Sequence, residues 1–265
     1  MFHHQYASML RLLKAYESPL PIDLFLATHA PSIAAILCSE CRSPGIFVAN
    51  VGDSSSEDVA KAAVGILVDV IRKINAADRF TRRELWPACG DYPQGSKLQG
   101  KRVGIVGLGR IGSKVAERQR LFGCKISYNS RKEKPSLPYL YHPTLQQLAS
   151  NSDVLIICCA LNEQTRYMAN KEVMETLGKE GVIVNIARGS IANEKELVEC
   201  WFDVFEEEPS VPREMLDMDD VVLLPHRAAF TEESVLECFE LVVGNLKAFF
   251  SNKPPQSPVN DVYEQ

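Results

Sequence analysis

The chain has 265 residues, 46% of them hydrophobic and 24% charged, with 29 basic against 34 acidic side chains. That length accommodates one large or two ordinary domains, and a net charge of −5 excludes a general nucleic-acid or membrane surface, so any cationic site has to be local. The eight cysteines include the adjacent pair Cys158 and Cys159 in an apolar run, which fits intracellular thiols rather than a disulfide framework.

The opening stretch, MFHHQYASMLRLLKAY, carries no acid before Glu17. It is compatible with a transit peptide, but YASMLRLLKAY reads equally well as an amphipathic first helix, the preferred reading. Cys38 and Cys41 are spaced C-x-x-C with no second pair or histidine cluster at zinc spacing, so no metal is expected. No apolar run reaches transmembrane length, and DVYEQ is not a peroxisomal signal; a cytoplasmic location is expected. SIAAILC and GIFVAN read as strands of a small unit over residues 1–55. Only SECRSP, residues 39–44, separates them, whereas a parallel crossover takes about a dozen residues or more.

A long helix follows over 56–75, with Val59, Ala60, Ala63, Val64, Leu67, Val68, Ile71 and Ile74 at helical spacing and Ser54-x-x-Glu57 as a capping box. Its apolar face fits either an ordinary core helix or one that also meets a second subunit. From residue 101, short apolar runs alternate with amphipathic segments, the pattern of a parallel sheet flanked by helices. The strand-like runs are KRVGIVG, CKISYN, DVLIICCA, GVIVNIA and DVVLLP; RIGSKVAERQRLFG, TLQQLAS and NKEVMETLG read as helices, and KEKPSLPYLYHP as loop. ELVECWFDVFEEEP runs from a helix into an expected strand without a turn residue, although such loops usually take about 2–6 residues. After Thr231, EESVLECFELVVGNLKAFF forms a last helix whose tail can return to the first unit.

The chemistry begins at VGIVGLGRIG. Gly107, Gly109 and Gly112 form G-x-G-x-x-G directly after a strand and at the start of a helix, the context a dinucleotide fingerprint requires. The pyrophosphate would approach the helix N-terminus, where free N–H groups and the dipole favour anions. About twenty residues on, an acid would bind the ribose 2′-hydroxyl; here Ser130, Arg131 and Lys132 stand instead. A 2′-phosphate suits that cationic triplet, so the expected cofactor is NADPH rather than NADH. Arg188 after GVIVNIA, His226 after DVVLLP and Glu208 in DVFEEEP fall where an open α/β sheet places ligands.

Taken together, SEDVAKAAVGILVDVIRKINAADRF, GDYPQGSKLQGKRVGIVGLGRIGSKVAERQRLFGC, YNSR and NIARGS resemble the D-isomer-specific 2-hydroxyacid dehydrogenases, most of all the plant glyoxylate/hydroxypyruvate reductases. The resemblance covers most of the chain. It implies a catalytic triad of Arg188, Glu208 and His226, and cofactor contacts at Leu108, Gly109, Arg110 and Ile111, at Ser130, Arg131 and Lys132, and at Ile186, Ala187 and Asp203. Residue chemistry fits those roles. An imidazole titrates near neutral pH, a carboxylate can orient it, and a guanidinium offers a planar fork to a substrate carboxylate. Against the family pattern two blocks are missing, a substrate-carboxylate loop near residues 39–44 and the strand before Asp203.

The expectation is therefore an α/β protein of two parts. A Rossmann-type, doubly wound NADP-binding domain with a dimerisation helix spans 56–230. A smaller, discontinuous, truncated flavodoxin-like substrate domain spans 1–55 and 231–265. The implied activity is NADPH-dependent reduction of hydroxypyruvate or glyoxylate to D-glycerate or glycolate, and the implied assembly is a homodimer through the 56–75 helix and Trp86. The rivals are an impaired truncated isoform that binds NADPH or dimerises, and a redox-sensing protein resembling the corepressors of this fold.

Overall fold

In the computed structural model, residues 24–27, 47–193, 201–216 and 221–258 are described. The expected N-terminal helix, the strand SIAAILC, Cys38, Cys41 and the helix past Asn193 lie outside them. Strand β1 (Leu24–Ala27) pairs in parallel with β2 (Phe47–Asn50). The 19 residues 28–46 between these two strands exceed the length a parallel crossover requires.

Helix α1 (Ser56–Arg72) ends earlier than expected, because Lys73 adopts a left-handed conformation (φ 55°) and restarts the chain as α2 (Ile74–Arg82). Val59, Ala60, Ala63, Ile66, Leu67, Val70 and Ile71 form its buried face, while Ile74, assigned to that face by spacing, is 52% exposed. The capping box does not form. The Ser54 hydroxyl donates to the Val51 carbonyl, and Glu57 instead pairs with Arg118 and Lys114 across the packed helix that follows the glycine loop. The short helix α3 (Trp86–Cys89) leaves Trp86 58% exposed.

Six strands make one parallel sheet: β3 (Arg102–Val106), β4 (Lys125–Asn129), β5 (Leu140–Tyr141), β6 (Val154–Ile157), β7 (Val182–Asn185) and β8 (Trp201–Phe202), in the order β5-β4-β3-β6-β7-β8. The chain moves outward from β3 to β5, then returns to β6 on the other side. The strand order therefore reverses beside β3, the place where such sheets bind nucleotides. Along β6 every residue is buried, because successive side chains enter opposite layers: Val154 and Ile156 join one apolar cluster, Leu155 and Ile157 the other. Removing an aliphatic side chain of this size from water contributes roughly 1.5–3 kcal/mol.

Between the strands run α4 (Arg110–Leu121), α5 (Leu145–Ser150), α6 (Lys171–Leu177) and, after β8, α7 (Arg213–Leu216). Thr144 and Asn170 cap α5 and α6 by accepting the Gln147 and Val173 N–H groups. Three expectations need correction. LY within the proline-rich loop pairs with β4 as β5. DVVLLP is not one of the six strands, although Val221 and Val222 are buried. The strand before Asp203 is not lost: Trp201 and Phe202 pair in parallel with β7. Helix α8 (Glu232–Phe250), capped by Thr231, carries the tail back to β2. There the Asn50 N–H donates to Ser257 and the Ser257 hydroxyl to Asn50. Among the described residues no helix is long and apolar enough to cross a membrane.

Candidate active site

The parallel strands direct their carboxyl ends to one rim, and the residues singled out from the motifs lie in the loops on it or, for Arg110, Ile111 and Gly112, in the first turn of α4. The glycine turn after β3 shows why those positions need glycine. Gly107 has φ +93°, and a Cβ there would meet the Cys159 backbone at 2.7 Å. A Cβ on Gly112 would lie 2.1 Å from the Gly107 carbonyl, so this glycine lets α4 sit close on β3. Around Gly109 nothing stands within 4 Å of such an atom. Tight turn, close packing and one open approach are what a pyrophosphate-binding turn demands, so these residues fit a dinucleotide.

Leu108 turns its side chain into the core, 1% exposed, and leaves its carbonyl to the Lys134 ammonium at 2.5 Å. Arg110 is exposed and reaches Gly52, donating to its carbonyl at 3.0 Å, while Ile111 is half-buried against the core. At the end of β4, Arg131 and Lys132 are exposed. The Ser130 hydroxyl donates to the Lys132 carbonyl at 2.6 Å and so closes the loop on itself. Lys134, which motif reading passed over, ties this basic loop to the glycine turn.

Past β7 the chain turns through Ile186 and Ala187, both buried, into Arg188. Asn185 shapes this turn: fully buried, it accepts the Ala187 N–H at 3.0 Å and donates to the Arg188 carbonyl at 2.9 Å. Burial holds the Arg188 guanidinium below its usual pKa, and the nearby Glu208 charge opposes that shift. Gly189 then packs on the next loop so closely that a Cβ would stand 2.0 Å from the Phe205 carbonyl carbon.

Past β8, Asp203 is 2% exposed, and its carboxylate accepts the N–H groups of Arg227 at 2.8 Å and Ala228 at 3.1 Å. Burial raises its pKa, with those two bonds and His226 acting against the rise. The His226 N–H donates to the Asp203 carbonyl at 2.8 Å, and His226 takes φ +53°. A strand end does not place this histidine, as the sequence pattern had implied; the anchor is Asp203, on the neighbouring loop. Glu208 completes the arrangement. One carboxylate oxygen accepts the Phe205 N–H at 3.0 Å and the other lies 2.9 Å from His226 Nδ1. Arg188, Glu208 and His226 are thus brought together. Asn185 and Gly189, which shape the Arg188 turn and its packing on the Glu208 loop, had not stood out by type or spacing. Among the described residues no cluster could hold a metal ion.

A doubly wound sheet with a glycine fingerprint at its switch point and an Arg, Glu and His beyond its carboxyl ends defines the architecture of a nicotinamide-nucleotide dehydrogenase. Residues 64–228 match the family described as D-isomer specific 2-hydroxyacid dehydrogenase, NAD binding domain. The chain is 47% identical over 259 residues to glyoxylate/hydroxypyruvate reductase HPR3 of Arabidopsis thaliana, covering 91% of this chain and 80% of that one. It is 44% identical over 229 residues to hydroxyphenylpyruvate reductase of Plectranthus scutellarioides, covering 83% and 73%. Among solved structures, the NADPH-dependent glyoxylate/hydroxypyruvate reductase SmGhrB of Sinorhizobium meliloti, in complex with NADP and malonate, superposes with a TM-score of 0.80 at 36% identity over 84% of this chain and 73% of that chain. The chain belongs to the D-isomer specific 2-hydroxyacid dehydrogenase family.

Proposed function

We propose that the chain reduces a small 2-oxo acid, hydroxypyruvate or glyoxylate, with NADPH as the hydride donor. The observation that carries this reading is the 2.9 Å contact between His226 Nδ1 and Glu208. With Nδ1 held, Nε2 is the nitrogen that faces a substrate. A nicotinamide nucleotide held at the Gly107–Gly112 turn would supply the hydride for the carbonyl carbon. His226 gives the developing alkoxide a proton from Nε2, and the Glu208 carboxylate, 2.9 Å from Nδ1, fixes the ring. Arg188 binds the substrate carboxylate through its planar fork. Asp203 holds the backbone of residues 226–228 and so sets where the imidazole stands.

Arg131 and Lys132, in an exposed loop that Lys134 ties to the glycine turn, support a 2′-phosphate at the end of β4. The same reading assigns 56–230 to the nucleotide-binding domain and 1–55 with 231–265 to the substrate domain. The return of the tail to β2 supports that division. It also takes the protein as a homodimer through α1 and the Trp86 segment, supported by the exposure of Ile74 and Trp86; sedimentation velocity should give a dimer, and a monomer would end that part of it.

A second reading, a chain that binds the cofactor without turnover, is favoured by the two-residue length of β8. Product analysis separates the two. The enzyme reading expects hydroxypyruvate to be converted to D-glycerate in step with NADPH consumption; saturable NADPH binding with no product would install the second reading.

A further inference from the structure

Between the loops bearing Arg188 and Glu208 stands a residue that belongs to neither. Tyr167, in the segment joining β6 to α6, adopts φ +52°, a left-handed conformation that bulky residues rarely take. Outliers of this kind persist where surrounding bonds over-determine them, and they concentrate at functional sites. Here the bonds run in two directions. The Tyr167 N–H donates to the Ser190 carbonyl at 2.9 Å, two residues beyond Arg188, and the Ala169 N–H continues the pairing to Ile191 at 3.1 Å. The Tyr167 hydroxyl donates to the carboxylate of Glu206, two residues before Glu208. It also accepts from Arg166 at 3.0 Å, whose guanidinium stands 4.8 Å from the ring centroid and 3.6 Å from the Glu206 carboxylate. The two loops also touch directly, because a Cβ on Gly189 would stand 2.2 Å from the Glu206 nitrogen. Tyr167 is thus fastened by its backbone to the Arg188 loop and by its hydroxyl to the Glu208 loop.

We infer that Tyr167, through Glu206 and Arg166, is a positioning residue that fixes Arg188 relative to the Glu208–His226 pair. The inference rests on the dehydrogenase reading above. The bonds of Tyr167 go to Ser190, Glu206 and Arg166. Its effect passes through the two loops, and a misplacement of about 1 Å between such groups can lower turnover about a hundredfold.

Tyr167→Phe keeps the ring and removes the hydroxyl. Tyr167→Phe, Glu206→Gln and the double variant would be compared for hydroxypyruvate reduction and for amide hydrogen exchange. The expected result is a kcat lowered about tenfold or more in Tyr167→Phe, with the KM for NADPH unchanged and no additional loss when Glu206→Gln is combined with it. Exchange at Phe205, whose N–H donates to Glu208, should quicken while β3 keeps its protection. Wild-type kcat with unchanged exchange at Phe205, or losses that multiply in the double variant, would overturn the inference. The exchange readout needs no turnover. If the unaltered protein reduces neither acid, the dehydrogenase reading fails, while quickened exchange upholds the positioning role and unchanged exchange overturns it.

Discussion

His226 is held at two points by residues of one neighbouring loop: its Nδ1 lies 2.9 Å from the Glu208 carboxylate, and its backbone N–H donates to the Asp203 carbonyl at 2.8 Å. The first contact leaves Nε2 for chemistry, and the second sets the ring's origin. Replacing His226 by Ala removes the proposed proton donor and leaves the glycine turn untouched. Turnover should fall by about 10²–10⁴ while NADPH binding, followed by fluorescence titration, stays at the wild-type level.

The proposed NADPH preference places the discriminating charge at the end of β4, on Arg131. A charge-assisted bond to a 2′-phosphate contributes roughly 1.5–3 kcal/mol, so Arg131→Ala should erase about ten- to a hundredfold of any preference for NADPH and leave NADH kinetics unaltered. Steady-state comparison of both cofactors checks this. Equal losses for the two would move the role of Arg131 away from the phosphate.

Gly189 tests whether the two site loops depend on close packing. An alanine methyl would overlap the Phe205 and Glu206 backbone, which cannot rotate away as a side chain can. Gly189→Ala should destabilise by about 1–3 kcal/mol, the range of overpacked sites, and lower activity beyond the unfolded fraction. Urea unfolding measured alongside activity separates the two effects.

Asp58 joins α1 to the start of α8. Hydrogen bonds from the Ser234 and Thr231 hydroxyls, that from Ser234 the larger cause, hold its carboxyl below the usual value. A depressed acid stabilises the fold fully above its unfolded pKa, about 3.9, and loses that contribution as pH falls through the lower folded value. Asp58→Asn should therefore lower the melting temperature at neutral pH and flatten its decline on the acid side. Identical acid limbs for the two proteins would refute the assignment.

Much of the sheet was legible because its central strands are continuous apolar runs, buried on both faces, and because Gly107, Gly109 and Gly112 mark where the chain turns into α4. The misreadings share a physical cause: apolar content records burial, not hydrogen-bond pairing. Val221 and Val222 of DVVLLP are buried although neither belongs to one of the six described strands, and the two-residue β5 hides in a proline-rich loop. Ser54 and Glu57 have capping-box spacing, yet Glu57 finds stronger partners in Lys114 and Arg118, which no local pattern reveals. In the site, Arg188, Glu208 and His226 were visible by type and motif. The contacts that arrange them were not, because Asp203 with residues 227 and 228, Gly189 with Phe205 and Tyr167 with Glu206 are all pairings between separate loops.

The most direct test of the central claim is the rate of cofactor oxidation by the purified full chain with hydroxypyruvate and with glyoxylate, NADPH and NADH being run in parallel. Consumption of NADPH that depends on the 2-oxo acid and outpaces NADH is the predicted result. A folded protein that consumes neither cofactor with either acid would contradict it.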